Sequence, residues 1–204
     1  MNRNAYLVER FSAYIIDIIL ISFVSGLLSL PFTSSKNYEK LSKEANTIAE
    51  NYQKGKIDAI TYLNQYMDIN YDLSRETGAS SILSIIVYVL YFIVFQYYNN
   101  GQTLGKRVMK IKMKSKDKDT LDMNNLVLRE LFNNSILSSI LISVFLLIGK
   151  DVYGVGSTIT SCVQFIYIMI CALMISFRKD SRSLSDLIGK TKVISLRSEE
   201  EWEN

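Results

Sequence analysis

The sequence predicts an all-α membrane protein: a four-helix transmembrane bundle, both termini cytoplasmic, with a helical hairpin outside between spans one and two and a very small cytoplasmic β element. Three observations predict it. Apolar residues gather into four long runs. Cations gather on one side of those runs. Two polar segments on that side change their hydrophobic period from helical to alternating.

The first span is expected over about 11–31. Of residues 11–30, fourteen of twenty are apolar, and twenty residues of helix cover about 30 Å, the thickness of a bilayer core. The run contains Asp17 and ends at Pro31 with no small-residue cleavage pattern, which argues for an uncleaved span over a signal peptide. The second span covers about 80–98 and ends in Gln96, Tyr97 and Tyr98, residues suited to a membrane–water interface. The third, about 132–149, is short unless an amphipathic entry over 123–134 precedes it. The fourth, about 157–177, is followed at once by Arg178 and Lys179.

Four spans place both termini on one side, and lysine and arginine choose the side. The N-terminal stub holds Arg3 and Arg10, the segment between spans two and three (99–131) holds eight cations, and the tail (178–204) holds six. The opposite side holds seven, six of them mixed with seven acids in the first loop. The expected location is the cell membrane, multi-pass, N-in and C-in. The net charge of +3 gives no reason to expect nucleic acid as a partner.

The outer insertion, 33–79, is long for a structureless loop. Leu41, Ala45, Ile48 and Tyr52 recur at helical spacing, and Ile57, Ile60, Leu63, Tyr66 and Met67 do so after Lys54-Gly55-Lys56. A helical hairpin is expected, acting as a lid or partner surface or packing on itself and on the span ends. On the inner side Met109, Ile111 and Met113 alternate with Lys110, Lys112 and Lys114, and 191–195 (TKVIS) alternates similarly. These two pieces are expected to pair as strands against the membrane, with the lysine row near anionic lipid. The last residues, EEEWEN, read as an acidic tail.

The chemistry is bounded by what is missing. The chain has no histidine, which removes histidine acid–base catalysis and most zinc sites. No nucleophile–base pair is evident, so an enzyme is not expected, nor a cofactor or metal site. Cys162 and Cys171 would lie about 13 Å apart on one helix, too far to bond.

Asp17 is the most informative residue. A carboxylate inside a span costs roughly 2.5–3.5 kcal/mol on insertion scales, so it needs a partner or a function. Arg10 is two turns earlier on nearly the same face, with Ala13 between them, and the gap needs a third group or water to bridge it. Asp186, just after the last span, is on the same side. Arg10 is expected to pair with Asp186, with Asp17 deeper; exchanging the two charges should then restore what each single change breaks. The stretch 101–107 (GQTLGKR) follows a glycine helix end. Thr103, Gly105, Lys106 and Arg107 there offer donors and cations for an anion or lipid headgroup, or merely a tight turn with anchoring cations. It lacks P-loop spacing.

RFSAYIID, GQTLGKRVMKIKM, LVLREL and SLSDLIGKTKVI, in that order, resemble the RDD family of bacterial membrane proteins. That family is named for one arginine and two aspartates; by motif these are Arg10, Asp17 and Asp186. The tail motif often has histidine before the aspartate, where this chain has Ser185. The resemblance implies a four-span or similar bundle and transport of ions or small ligands, with cation–proton exchange claimed for some members. On that reading Asp17 binds and releases a proton or cation. Four spans leave little room for a gated path, so a homo-oligomer or a partner membrane subunit is expected. Small residues for close helix contact are present at Ser22, Ser25, Gly26 and Ser29, and at Ser135, Ser139 and Ser143. The competing reading is a non-transporting accessory, assembly or immunity-type protein in which the charges are a structural clasp.

Overall fold

A computed structural model of the chain describes residues 3–33, 35–116 and 120–197. Lys118 and the acidic end of the tail lie outside the described residues. The elements in order are α1 (Leu7–Thr33), α2 (Lys36–Gln53), α3 (Ala59–Glu76), α4 (Gly78–Val89), a π-helical segment (Leu90–Phe95), α5 (Gln96–Tyr98), α6 (Leu104–Val108), β1 (Ile111–Ser115), α7 (Met123–Asn133), α8 (Ile136–Ile148), α9 (Lys150–Phe177), α10 (Leu184–Ile188) and β2 (Thr191–Ser195).

Three helical stretches are long and apolar enough to cross a membrane: Leu7–Phe32, Gly78–Tyr98 and Lys150–Phe177. A fourth exists if α7 and α8, bent by 63° at their junction, count as one span. The bend falls at Asn134-Ser135, where Ser135 is left-handed at φ 56° and interrupts the helix. The amphipathic entry over 123–134 is therefore a separate helix, α7, at an angle to α8.

Two span boundaries differ from the sequence reading. α1 begins at Leu7, because the first turn packs on the sheet; Ala5, Ala13, Ile111 and Val193 form one buried cluster. α9 begins at Lys150, well before the expected 157, because its first turns receive the α2–α3 hairpin. Ser74 and the Tyr153 hydroxyl are 2.6 Å apart, Tyr71 tilts on Tyr153, and Lys150 pairs with Asp68 at 2.7 Å. Met67 abuts Gly154, where a side chain would collide with its methyl.

The hairpin is α2 and α3, turned at Gly55 (φ 67°) and capped by Ser35 and Asp58, whose side chains accept from Tyr38 and Thr61 N–H. Tyr52, Tyr62 and Tyr66 stack between the two helices. β1 and β2 pair antiparallel with Met113 opposite Val193. Ile111, Met113 and Ser115 face in and Lys114 faces out, as the period of two requires. The N-terminal stub adds an edge contact, with Ala5 N–H donating to Val193 carbonyl.

Gly101 turns the chain from α5 towards the sheet at φ 83°, and a Cβ there would strike the Met113 carbonyl. Gly101→Ala should cost about 1–3 kcal/mol, read as a lower thermal midpoint in detergent, whereas Gly26→Ala, which has open space around it, should leave the midpoint unchanged.

Candidate functional site

Asp17 is 1% exposed, and among the described residues its hydrogen-bond partners come from the 101–107 stretch and the Gly78–Tyr98 helix. Thr103 Oγ1 donates to it at 2.5 Å, Gly105 N–H at 2.7 Å and the Tyr91 hydroxyl at 2.6 Å. The carboxylate thus occupies the N-terminus of α6, where unpaired N–H groups favour negative charge. The remaining donors of that turn are also placed. Leu104 N–H donates to the Tyr91 hydroxyl, Lys106 N–H to Thr103 Oγ1 and Arg107 N–H to the Thr103 carbonyl. Gly105 is required here: a Cβ would strike the Ala13 carbonyl and lie 2.9 Å from the Asp17 carboxyl carbon. Tyr91 comes from the π-helical segment, a wider turn that re-aims side chains within an otherwise regular span.

The donors expected to meet an external anion therefore hold the chain's own Asp17. Thr103 and Gly105 are buried. Lys106 also turns inward: its Nζ donates to Gln96 Oε1 at 2.6 Å and is 3.9 Å from Glu130 Oε1. Of the four expected contact residues only Arg107 is exposed.

Arg10 does not reach Asp17. Its Nη1 donates to Asp186 at 2.6 Å, and it also donates to the carbonyls of Ala5 and Ser181. Asp186 is the third residue of α10, in a capping box with Ser183. Its other oxygen accepts from Arg129 Nε at 2.8 Å. Burial pushes the Asp186 carboxyl up, but the Arg129 and Arg10 guanidinium groups outweigh it and leave it well below the usual carboxylate range. Ser185, at the position the family often fills with histidine, is fully buried; it is 2.8 Å from the Ser183 hydroxyl and donates to Asn133.

Arg129 and Glu130 belong to the site although the LVLREL piece that contains them gave them no expected role. Arg129 donates to Glu130 as well as to Asp186, and Glu130 accepts from Gln96 Nε2 at 3.0 Å and from the Asn134 amide. Both are buried. The signal for them is the LVLREL piece of an amphipathic helix: Leu126, Arg129 and Glu130 share its buried face. Three acids (Asp17, Glu130, Asp186) and three cations (Arg10, Lys106, Arg129) thus lie in one assembly, and a fourth buried cation, Arg182, adjoins it through the Asp186 and Thr191 carbonyls.

Two cavities adjoin it. One of about 210 Å³ lies beside Arg10, Asp17, Lys106 and Arg129. The other, about 570 Å³, is a cleft between α4 and α8 lined by several serines. Tyr14 and Asn134 line both.

Arg10→Met and Asp186→Leu should each destabilise by about 3–5 kcal/mol, because each strands a buried charge, and the double variant should lose less than the sum. A charge exchange between them should not rescue, because an arginine at 186 would face Arg129; denaturation in detergent measures all four. Burial pushes the Lys106 ammonium down, Glu130 opposes this, and the group is left at about 8. The folded state therefore holds fewer protons than the unfolded one between about 8 and 10.5, so this group's contribution to stability grows as pH rises through that window. Thermal midpoints across pH 7–11 should show that rise in the wild type and not in Lys106→Met.

Neither a curated protein nor a solved structure matches the chain. The model of the RDD family matches residues 5–190, from the buried Ala5 at the sheet edge to Lys190, the residue before β2. The chain belongs to the RDD family, a family of bacterial membrane proteins.

Proposed function

We propose that the protein carries an ion or a small ligand across the cell membrane, with the buried charge assembly closing the cytoplasmic end of the path and Asp17 controlling it. The observation that carries this reading is the pair of cavities, one hydroxyl-lined and one beside the charged groups, with Tyr14 and Asn134 as their common wall. Asp17 acts through α6 in this reading. A proton or cation arriving at the carboxylate competes with Thr103 and Gly105 for the same oxygens, loosens α6 and opens the inner end. Exchange of a cation for a proton is one form this takes.

The orientation follows from charge: both termini, α6, the sheet and α10 are cytoplasmic. Arg107, Lys110 and Lys114 are exposed there and face anionic lipid. Ser22 and Gly26 leave an open, small-residue face on α1 for a second copy or a partner subunit.

One observation favours the second reading, an accessory membrane protein with a purely structural clasp: Asp17 already has three fixed donors. Purified protein in liposomes separates the two. We expect pH- or sodium-linked flux in the wild type and loss of at least about tenfold in Asp17→Asn with the thermal midpoint within a few degrees of wild type. Absence of any ion or solute flux from well-folded wild type would exclude transport and leave the clasp.

A further inference from the structure

The smaller cavity, about 210 Å³, has on its wall a cation that the fold leaves partly unused. Arg129 lines it and is 4% exposed. Its Nε donates to Asp186 and its Nη1 to Glu130. Its other amino nitrogen, Nη2, donates to no group among the described residues. That nitrogen is not one of the polar atoms sealed inside the protein without a partner, so it meets the cavity. A guanidinium group has only donors, so this edge is completed only by an acceptor. Asn133, one turn further along α7 and also on the wall, accepts from Ser185 at Oδ1 and leaves Nδ2 open in the same way.

The charges point the same way. Arg10, Lys106, Arg129 and Arg182 stand against Asp17, Glu130 and Asp186, and Arg182 meets carbonyls only. Arg3 and Glu9 nearby pair with each other. The assembly thus holds one cation more than its acids, where an unbalanced charge is costly. Asp17 is the one acid on the cavity wall among the described residues, and its oxygens already accept from Thr103, Gly105 and Tyr91. The Tyr167 hydroxyl is sealed off from the cavity, and the Tyr14 hydroxyl donates as readily as it accepts.

We propose that this cavity binds an anionic amphiphile: a carboxylate or phosphate head accepts from Arg129 Nη2 and Asn133 Nδ2, and the apolar body leaves between α1 and α9. Leu7, Phe11 and Tyr14 follow one another at helical spacing on α1, as Ile168, Ala172 and Ile175 do on α9, and both rows line the cavity. Phe11 and Ile168 are well exposed on helices long and apolar enough to cross a membrane, so the mouth opens to lipid. The volume admits the head and a few carbons, and a longer chain lies outside. The site is separate from the exposed Arg107, Lys110 and Lys114, because Arg129 is buried. The head can belong to a membrane lipid or to a soluble amphiphile. The site stands whether or not its occupant crosses the membrane.

The test uses the full chain in phosphatidylcholine nanodiscs, whose lipid carries no net charge, with empty discs as the blank. Cyclohexylacetate, cyclohexylmethanol, cyclohexylmethylammonium and acetate are titrated as probes, read by calorimetry and by the shift in thermal midpoint. Cyclohexylacetate should bind at least about tenfold more tightly than the alcohol, as a charge-assisted hydrogen bond requires. It should exceed acetate, which has the head without the body, by at least about tenfold as well. The ammonium should not bind. Arg129→Lys keeps a cation for Asp186 and Glu130 but removes the open N–H edge, and should weaken cyclohexylacetate about tenfold. Ala172→Leu removes no charged group and narrows the mouth; it should weaken the same probe several-fold, and it decides the matter if Arg129→Lys does not fold. Competition by added phosphatidic acid supports the site and assigns it to a membrane lipid; undiminished binding supports it and assigns it to a soluble amphiphile. Acetate or the alcohol binding as tightly as cyclohexylacetate, the ammonium binding in its place, or wild-type affinity in every variant that folds overturns the proposal. These binding readouts are independent of the flux assay, so the transport reading can fail while the site stands.

Discussion

Asp186 lies between two guanidinium groups that arrive from different helices, and the rest of this end of the bundle is arranged around satisfying them. Arg10 comes from α1 and Arg129 from α7. From Arg129 the chain of contacts passes to Glu130, then to Lys106 and Gln96, and through α6 to Asp17, which is again on α1. The charges alternate in sign along this path. Isolated, any one of them would cost several kcal/mol to bury; alternating and hydrogen-bonded, they tie α1, α6, α7 and α10 into a closed ring. The two helical turns between Arg10 and Asp17 are the span of that ring. The gap between them is bridged through α10, α7 and α6.

Such a ring selects register more than it adds stability. Every member has one geometry in which its partners are reached, and a slip of α1 by one residue would turn Asp17 away from the α6 N-terminus. Gly105 sharpens this, because α6 meets the α1 backbone at a distance only a glycine tolerates. Apolar contact between spans has no such preference within lipid, where the surroundings are as apolar as the helices. The charged ring therefore supplies specificity that the apolar spans lack.

Periodicity made the helical hairpin and the β1–β2 pair legible, because each buries one face and its apolar residues repeat accordingly. It failed where burial is by charge. Arg129 and Glu130 are adjacent and opposite in sign, a pattern that on a solvated helix is common and carries no message. Only their place beside Leu126 on the buried face distinguishes them. Lys106 and Arg107 are likewise adjacent cations, yet one turns in and the other out because Thr103 starts a helix and fixes their directions. The early start of α9 was hidden because Lys150 and Asp151 read as loop, whereas they stand above the span to receive α3. The π-helical turn left no trace, since every residue from Leu90 to Phe95 is apolar and its effect is one of phase.

That phase connects the ring to the cleft. A π turn rotates the residues after it, so Tyr91 reaches Asp17 while Gln96, five residues on, reaches Glu130 and Lys106. Glu130 in turn holds the Asn134 amide that borders the cleft. Lys106, 3.9 Å from the same carboxylate, stands on α6, whose N-terminus carries Asp17. The route from cleft to Asp17 therefore consists of one amide, one carboxylate and one ammonium on a short helix. Each link is a hydrogen bond or an ion pair, so a single substitution can cut it.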